Sequence, residues 1–118
     1  MSFFQVPNWA TGISGAFFSG ATETLSGDKT IADADAMVLK MDPGGSSRDV
    51  TLPAEGNVSA GGRFYLIVNA ADASENLVVK DDGAATIGTV GQDKIGLFYN
   101  AGLDDNGAES SWVQVFVV

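Results

Sequence analysis

Short apolar stretches separated by polar turns run along most of the chain. Each stretch is too short for an amphipathic helix, and several are rich in the β-branched and aromatic residues that favour strands. Residues 63–69, which read Arg-Phe-Tyr-Leu-Ile-Val-Asn, carry the strongest signal. The pattern predicts about seven short strands, at residues 36–41, 49–52, 63–69, 76–80, 85–90, 94–99 and 111–118.

The segments between these strands have turn chemistry. In Asp42-Pro43-Gly44-Gly45 the proline presets φ and the glycines allow positive φ, while Asp81-Asp82-Gly83 is typical of a hairpin. Short strands joined by such turns predict an all-β fold, a small sandwich or barrel of antiparallel strands. The pattern does not choose between sandwich and barrel. We assign this β domain to residues 27–118.

Residues 1–26 differ from the rest, because they are rich in aromatic residues and glycine and contain a single charge, Glu23. We predict an extended N-terminal arm that packs its apolar side chains on another surface. That surface is either the chain's own β domain or a partner subunit, since exposed aromatic patches usually mark interfaces. The candidate contacts of the arm with a partner or between subunits are Phe3, Phe4, Val6, Trp9, Phe17 and Phe18.

The predicted strand at residues 111–118 ends on Phe116-Val117-Val118. An exposed apolar edge of this kind invites aggregation. We therefore expect this strand to be covered, either as a central strand of its sheet or at a subunit interface.

The chain has 118 residues and contains no cysteine and no histidine. This composition restricts the chemistry that the protein can perform. Thiolate nucleophiles, Ser–His pairs and imidazole or thiolate metal sites are excluded. The net charge is −9, and the six basic residues are scattered, so binding to nucleic acid or to an anionic membrane is not expected. No targeting segment and no apolar run long enough to span a membrane is visible.

The remaining candidate sites are weak. Asp104, Asp105, Asn106 and Glu109 offer oxygen ligands for calcium, but they lack the EF-hand spacing and are ordinary loop residues. The acids at positions 28, 33 and 35 suit either a catalytic carboxylate pair or solvated turns. In both cases we favour the turn, and we predict a protein that is not an enzyme and has no catalytic residues, metal or cofactor.

A series of strand and turn segments between residues 27 and 90 resembles small structural proteins of tailed phages that coat the exterior of the head. The segments are residues 26–31 (SGDKTI), 49–54 (DVTLPA), 62–71 (GRFYLIVNAA) and 76–80 (NLVVK). The resemblance implies a capsid decoration, or cement, protein. Such a protein is made in the host cytoplasm, forms a homo-trimer on the virion surface and bridges neighbouring major capsid subunits.

Similar segments also occur in phage head-fibre and tail-fibre modules. On that alternative the chain recognises host surface glycans, and function lies in exposed loops such as residues 54–62 or 101–110. The absence of long repeats argues against it.

Overall fold

The fold is described from a computed structural model, which covers residues 21–32, 34–54, 62–102 and 111–118. These residues contain strands and no helix, so the all-β prediction is confirmed for them. No helix among them is long and apolar enough to cross a membrane. The strands are β1 (Glu23–Thr24), β2 (Lys29–Thr30), β3 (Val38–Asp42), β4 (Arg48–Thr51), β5 (Phe64–Asn69), β6 (Leu77–Lys80), β7 (Thr86–Val90), β8 (Ile95–Asn100) and β9 (Trp112–Val117).

The described strands form two sheets. The five-stranded sheet has the order β1-β3-β5-β8-β9, and the four-stranded sheet has the order β2-β4-β6-β7. The predicted count of about seven strands was low, because β1 and β2 are two-residue strands without an apolar pattern of their own. All seven predicted strands are present.

The prediction that the strands are antiparallel was wrong for half of the fold. β1, β3 and β5 run parallel to one another, and so do β2, β4 and β6. Only the pairs β6–β7, β5–β8 and β8–β9 are antiparallel. From β1 to β6 the chain alternates between the two sheets, so that each strand returns beside the strand two before it. A strand of the opposite sheet therefore serves as the crossover that a parallel pair needs.

The core lies between the two sheets. On β5, the side chains of Tyr65, Ile67 and Asn69 are buried, while those between them are partly exposed. The same alternation of period two buries one face of β3, β6 and β8, whereas β9 buries only Trp112 fully. The buried apolar cluster consists of Leu25, Ile31, Met37, Leu39, Met41, Val50, Leu52, Tyr65, Ile67, Leu77, Val79, Val90, Phe98 and Trp112.

Two sequence predictions concern the ends of this fold. Residues 1–20 of the predicted arm lie outside the described residues, whereas Glu23–Thr24 pairs with β3 and Leu25 packs in the core. The prediction of a central position for the last strand was wrong, because β9 is an edge strand that pairs only with β8 among the described residues. An interface at β9 stays a prediction.

Candidate interaction surface

Three rows of side chains form the outer face of the five-stranded sheet across β3, β5, β8 and β9, and a fourth row, Thr24–Asp42, adjoins them at β1. Cross-strand partners share a face, so the strand register gives each row directly. The first row is Phe64–Tyr99–Val113, the second is Val38–Leu66–Leu97–Phe116, and the third is Lys40–Val68–Ile95–Val118.

We call these three rows the apolar face. Every position in them except Lys40 is apolar or aromatic, and none carries an acid. Its members are partly or well exposed: Phe116 is 38 % exposed, Tyr99 41 %, Val113 44 % and Val118 67 %. Lys40 is thus the one charged side chain in the three rows of a chain whose net charge is −9.

The outer face of the four-stranded sheet has the opposite character. Its rows are Asp49–Val78–Thr89 and Thr30–Thr51–Lys80–Thr86. Polar side chains occupy every position except Val78, and the Lys80 ammonium lies 3.0 Å from an Asp49 carboxylate oxygen. This face has the polar character of a sheet that meets water, whereas the apolar face does not.

Continuous apolar runs produce this difference. β5 reads Phe-Tyr-Leu-Ile-Val before Asn69, and such runs are typical of strands covered on both faces. The same feature recurs in β8, where Leu97 and Tyr99 lie on either side of buried Phe98, and β9 adds exposed Val113 and Phe116. The sequence carried this signal, but without the register it did not show that the outward residues meet on one surface.

The structure does not test the sequence-predicted site residues. Phe3, Phe4, Val6, Trp9, Phe17 and Phe18 lie outside the described residues, as do Asp33 and the acidic loop at residues 103–110. The role of these side chains stays a prediction.

The two described acids of the predicted carboxylate pair have structural roles. An Asp28 carboxylate oxygen accepts a hydrogen bond of 2.9 Å from the backbone N–H of Asp49. Asp35 accepts one of 2.8 Å from the backbone N–H of Ala32 and lies 3.9 Å from the Lys29 ammonium. Both carboxylates therefore cap backbone groups, which agrees with the turn interpretation.

Other buried polar side chains also hold the backbone. The side-chain amide of Asn69 donates hydrogen bonds to the backbone carbonyl oxygens of Glu75 and Val90. Asp81 accepts hydrogen bonds from the backbone N–H groups of Gly83 and Ala85 in the β6–β7 turn. The buried polar side chains of Asn69 and Asp81 therefore hold the backbone of the described loops in place.

A group of three carboxylates is the exception. Side-chain oxygens of Asp42, Asp72 and Glu75 all lie within 4.8 Å of one another. Asp42 ends β3, and the other two lie in the loop between β5 and β6. Sequence analysis missed this group because its members are far apart along the chain and form no motif.

No family model, curated protein or solved structure matches the chain in any of the three comparisons.

Proposed function

We propose that the chain is a virion structural protein, which binds the outer surface of a phage capsid and stabilises it by bridging neighbouring major capsid subunits. The β domain self-associates through the apolar face, and the arm at residues 1–20 contacts the capsid. The observation that carries the structural role is the apolar face, and the sequence resemblance supplies the capsid as partner.

The size of the apolar face supports a role in association. Four strands about 4.8 Å apart and three rows about 7 Å apart cover roughly 400 Å² in projection. Monomeric proteins rarely expose contiguous apolar patches larger than a few hundred Å², and the largest patch of a protein is often functional. A standard interface buries about 800 Å² per partner around an apolar centre with a polar rim. The apolar face therefore has the size of such a centre.

Charge favours a second copy of the chain as the occupant of this face. Copies with a net charge of −9 repel one another, but the three rows contain no acidic side chain, so association here brings no Asp or Glu side chains of the rows together. Every copy also carries the same face, so a partner is present as soon as the chain folds. A homo-trimer arranged in this way would shield the apolar faces and leave the polar sheets in solvent.

The oligomer is tested by comparing two lysine substitutions on opposite sheets. Leu97→Lys places a charge at the centre of the apolar face, whereas Val78→Lys places the same charge on the polar outer face beside Asp49. We expect the wild type and Val78→Lys to sediment as trimers and Leu97→Lys as a monomer. A wild-type monomer, or a trimer that survives Leu97→Lys, would contradict association through this face.

Capsid binding is tested separately by co-sedimentation with undecorated phage heads. We expect saturable binding at a fixed ratio to capsid subunits and heads that resist heating better. Deleting residues 1–20 should abolish this binding and leave the trimer intact. If the full chain does not bind heads but binds host cells or their glycans, the fibre-module alternative replaces the capsid role.

A further inference from the structure

The parallel pairing of β3 and β5 brings three carboxylates to one end of the five-stranded sheet. Met41 lies opposite Asn69, and the backbone N–H of Ala70 donates a hydrogen bond of 2.8 Å to the carbonyl oxygen of Met41. The loop after β5 therefore starts beside the last residue of β3, Asp42. Oxygens of Asp42, Asp72 and Glu75 come within 4.8 Å of one another as a result.

Glu75 is the buried member of this group. It is 9 % exposed, and its Oε1 atom is buried without any hydrogen-bond partner. The backbone holds the residue in place, because its N–H donates to the carbonyl oxygen of Ala73 at 2.7 Å and its carbonyl accepts from the Asn69 amide at 2.8 Å. A buried carboxylate oxygen without a donor is costly, which points to a ligand that supplies positive charge.

No side chain of the described ranges supplies that charge. Among the ion pairs between described residues, the Lys29 ammonium pairs with Glu23 and Asp35 and the Lys80 ammonium pairs with Asp49, so none of these pairs involves the three carboxylates. Asp42 accepts one hydrogen bond, of 2.9 Å, from the backbone N–H of Gly44. Three like charges at this separation repel one another, and burial of Glu75 removes water that would screen them.

We infer that Asp42, Asp72 and Glu75 bind a calcium ion. The set contains only oxygen, which suits a hard cation and not zinc. Calcium–oxygen distances are about 2.4 Å, so ligand oxygens on opposite sides of the ion lie about 4.8 Å apart. Asp72 is exposed and Asp42 is half-buried, which leaves one side open for the waters that complete a calcium shell.

Calcium bound here joins the β5–β6 loop to the end of β3. The ion binds the folded chain, which assembles the three carboxylates, and so stabilises it. The inference rests on the three carboxylates alone and is independent of capsid binding.

The test is thermal unfolding of the chelator-treated full chain, together with calorimetric titration of CaCl₂. We expect CaCl₂ at about 1 mM to raise the unfolding temperature by several degrees, with saturable heat at one ion per chain. No heat and no shift at 10 mM, a shift that NaCl at matched ionic strength reproduces, or an equal shift with MgCl₂ would each overturn the assignment to calcium.

Glu75→Gln separates ion binding from a structural role, because it keeps the size of the side chain and removes one charge. In chelator the variant should unfold at a higher temperature than the wild type, since the repulsion is relieved. In CaCl₂ the wild type should unfold at a higher temperature than the variant. Asp72→Asn, at an exposed position, should likewise lose the calcium response, whereas Asp82→Asn in the β6–β7 turn should keep it. A full calcium response in Glu75→Gln and Asp72→Asn would overturn the site.

Discussion

The indole Nε1 of Trp112 donates a hydrogen bond of 2.9 Å to the carbonyl oxygen of Pro53. Trp112 begins β9 in the five-stranded sheet, whereas Pro53 lies just after β4 in the four-stranded sheet. The bond therefore joins the two sheets through the core. The same ring lies 5.8 Å from that of Tyr65, centroid to centroid, and is 3 % exposed.

Replacing Trp112 by phenylalanine should destabilise the fold strongly. The Pro53 carbonyl loses its indole donor inside the core, and the smaller ring leaves unfilled space. Together these effects cost about 2 to 4 kcal/mol. Urea unfolding would measure the loss. Tyr99→Phe, which removes an exposed hydroxyl from the apolar face, is the control and should change stability by less than about 0.5 kcal/mol. Equal effects of the two substitutions would contradict the role of the Trp112 bond.

Replacing Asn69 by alanine should be at least as costly. Its amide donates to the carbonyl oxygens of Glu75 and Val90, each at 2.8 Å, and its oxygen accepts from the backbone N–H of Ala71 at 2.9 Å. Three buried backbone groups lose their partner, which costs about 3 kcal/mol or more.

The same substitution also frees Glu75 from its anchor. We therefore expect Asn69→Ala to reduce the calcium response as well as the free energy of unfolding. Asn76→Ala, at an exposed position at the end of the same loop, should change neither. Calorimetry and urea unfolding on both variants would test this. An unchanged calcium response in Asn69→Ala would show that the hydrogen bond from Asn69 to Glu75 does not support the carboxylate site.

Gly96 has no room for a side chain. A Cβ atom there would lie 2.7 Å from Phe98 Cε2 and 2.8 Å from Val90 Cγ2. Gly96→Ala should therefore overpack the core and cost about 1 to 3 kcal/mol. Gly27→Ala is the matched control, because a Cβ atom at position 27 meets nothing within 4 Å.

A second substitution tests whether the close contact with Val90 causes the loss of stability in Gly96→Ala. Val90→Ala removes one of the two clashing atoms, so the double variant with Gly96→Ala should lose less stability than the sum of the single losses. Additive losses, measured by urea unfolding, would show that another contact limits the space at position 96.

Local patterns predicted the strands but not their partners. The structure places Tyr65 and Phe98 inward and Phe64 and Tyr99 outward, a division that the continuous apolar runs of β5 and β8 do not predict. Nothing local indicates that β3 pairs with β5, because β4 of the other sheet intervenes between them. The parallel pairs were missed for this reason.

The candidate sites show the same limit. The apolar face depends on a register that aligns Leu66, Leu97 and Phe116, and the carboxylate group depends on Met41 lying opposite Asn69. β1 and β2 were missed because two polar or mixed residues, such as Glu23–Thr24, form a strand only when a neighbour offers an edge. Sequence patterns of single segments cannot contain these relationships between segments.

Association through the apolar face should strengthen as salt is added. Lys40 is the single charge in its three rows, so few ion pairs are available to be screened there. The repulsion between copies with a net charge of −9 is screened instead, with a Debye length that falls from about 10 Å at 0.1 M to about 3 Å at 1 M salt. Sedimentation equilibrium at 0.1 and 1 M NaCl should therefore give a higher association constant at 1 M.

The substitution Lys40→Gln should change the association constant by less than about threefold relative to the wild type, because it removes that charge and keeps the surrounding apolar rows. Dissociation at 1 M NaCl, or a large loss of association in Lys40→Gln, would mean that ion pairs rather than apolar contacts hold the copies together.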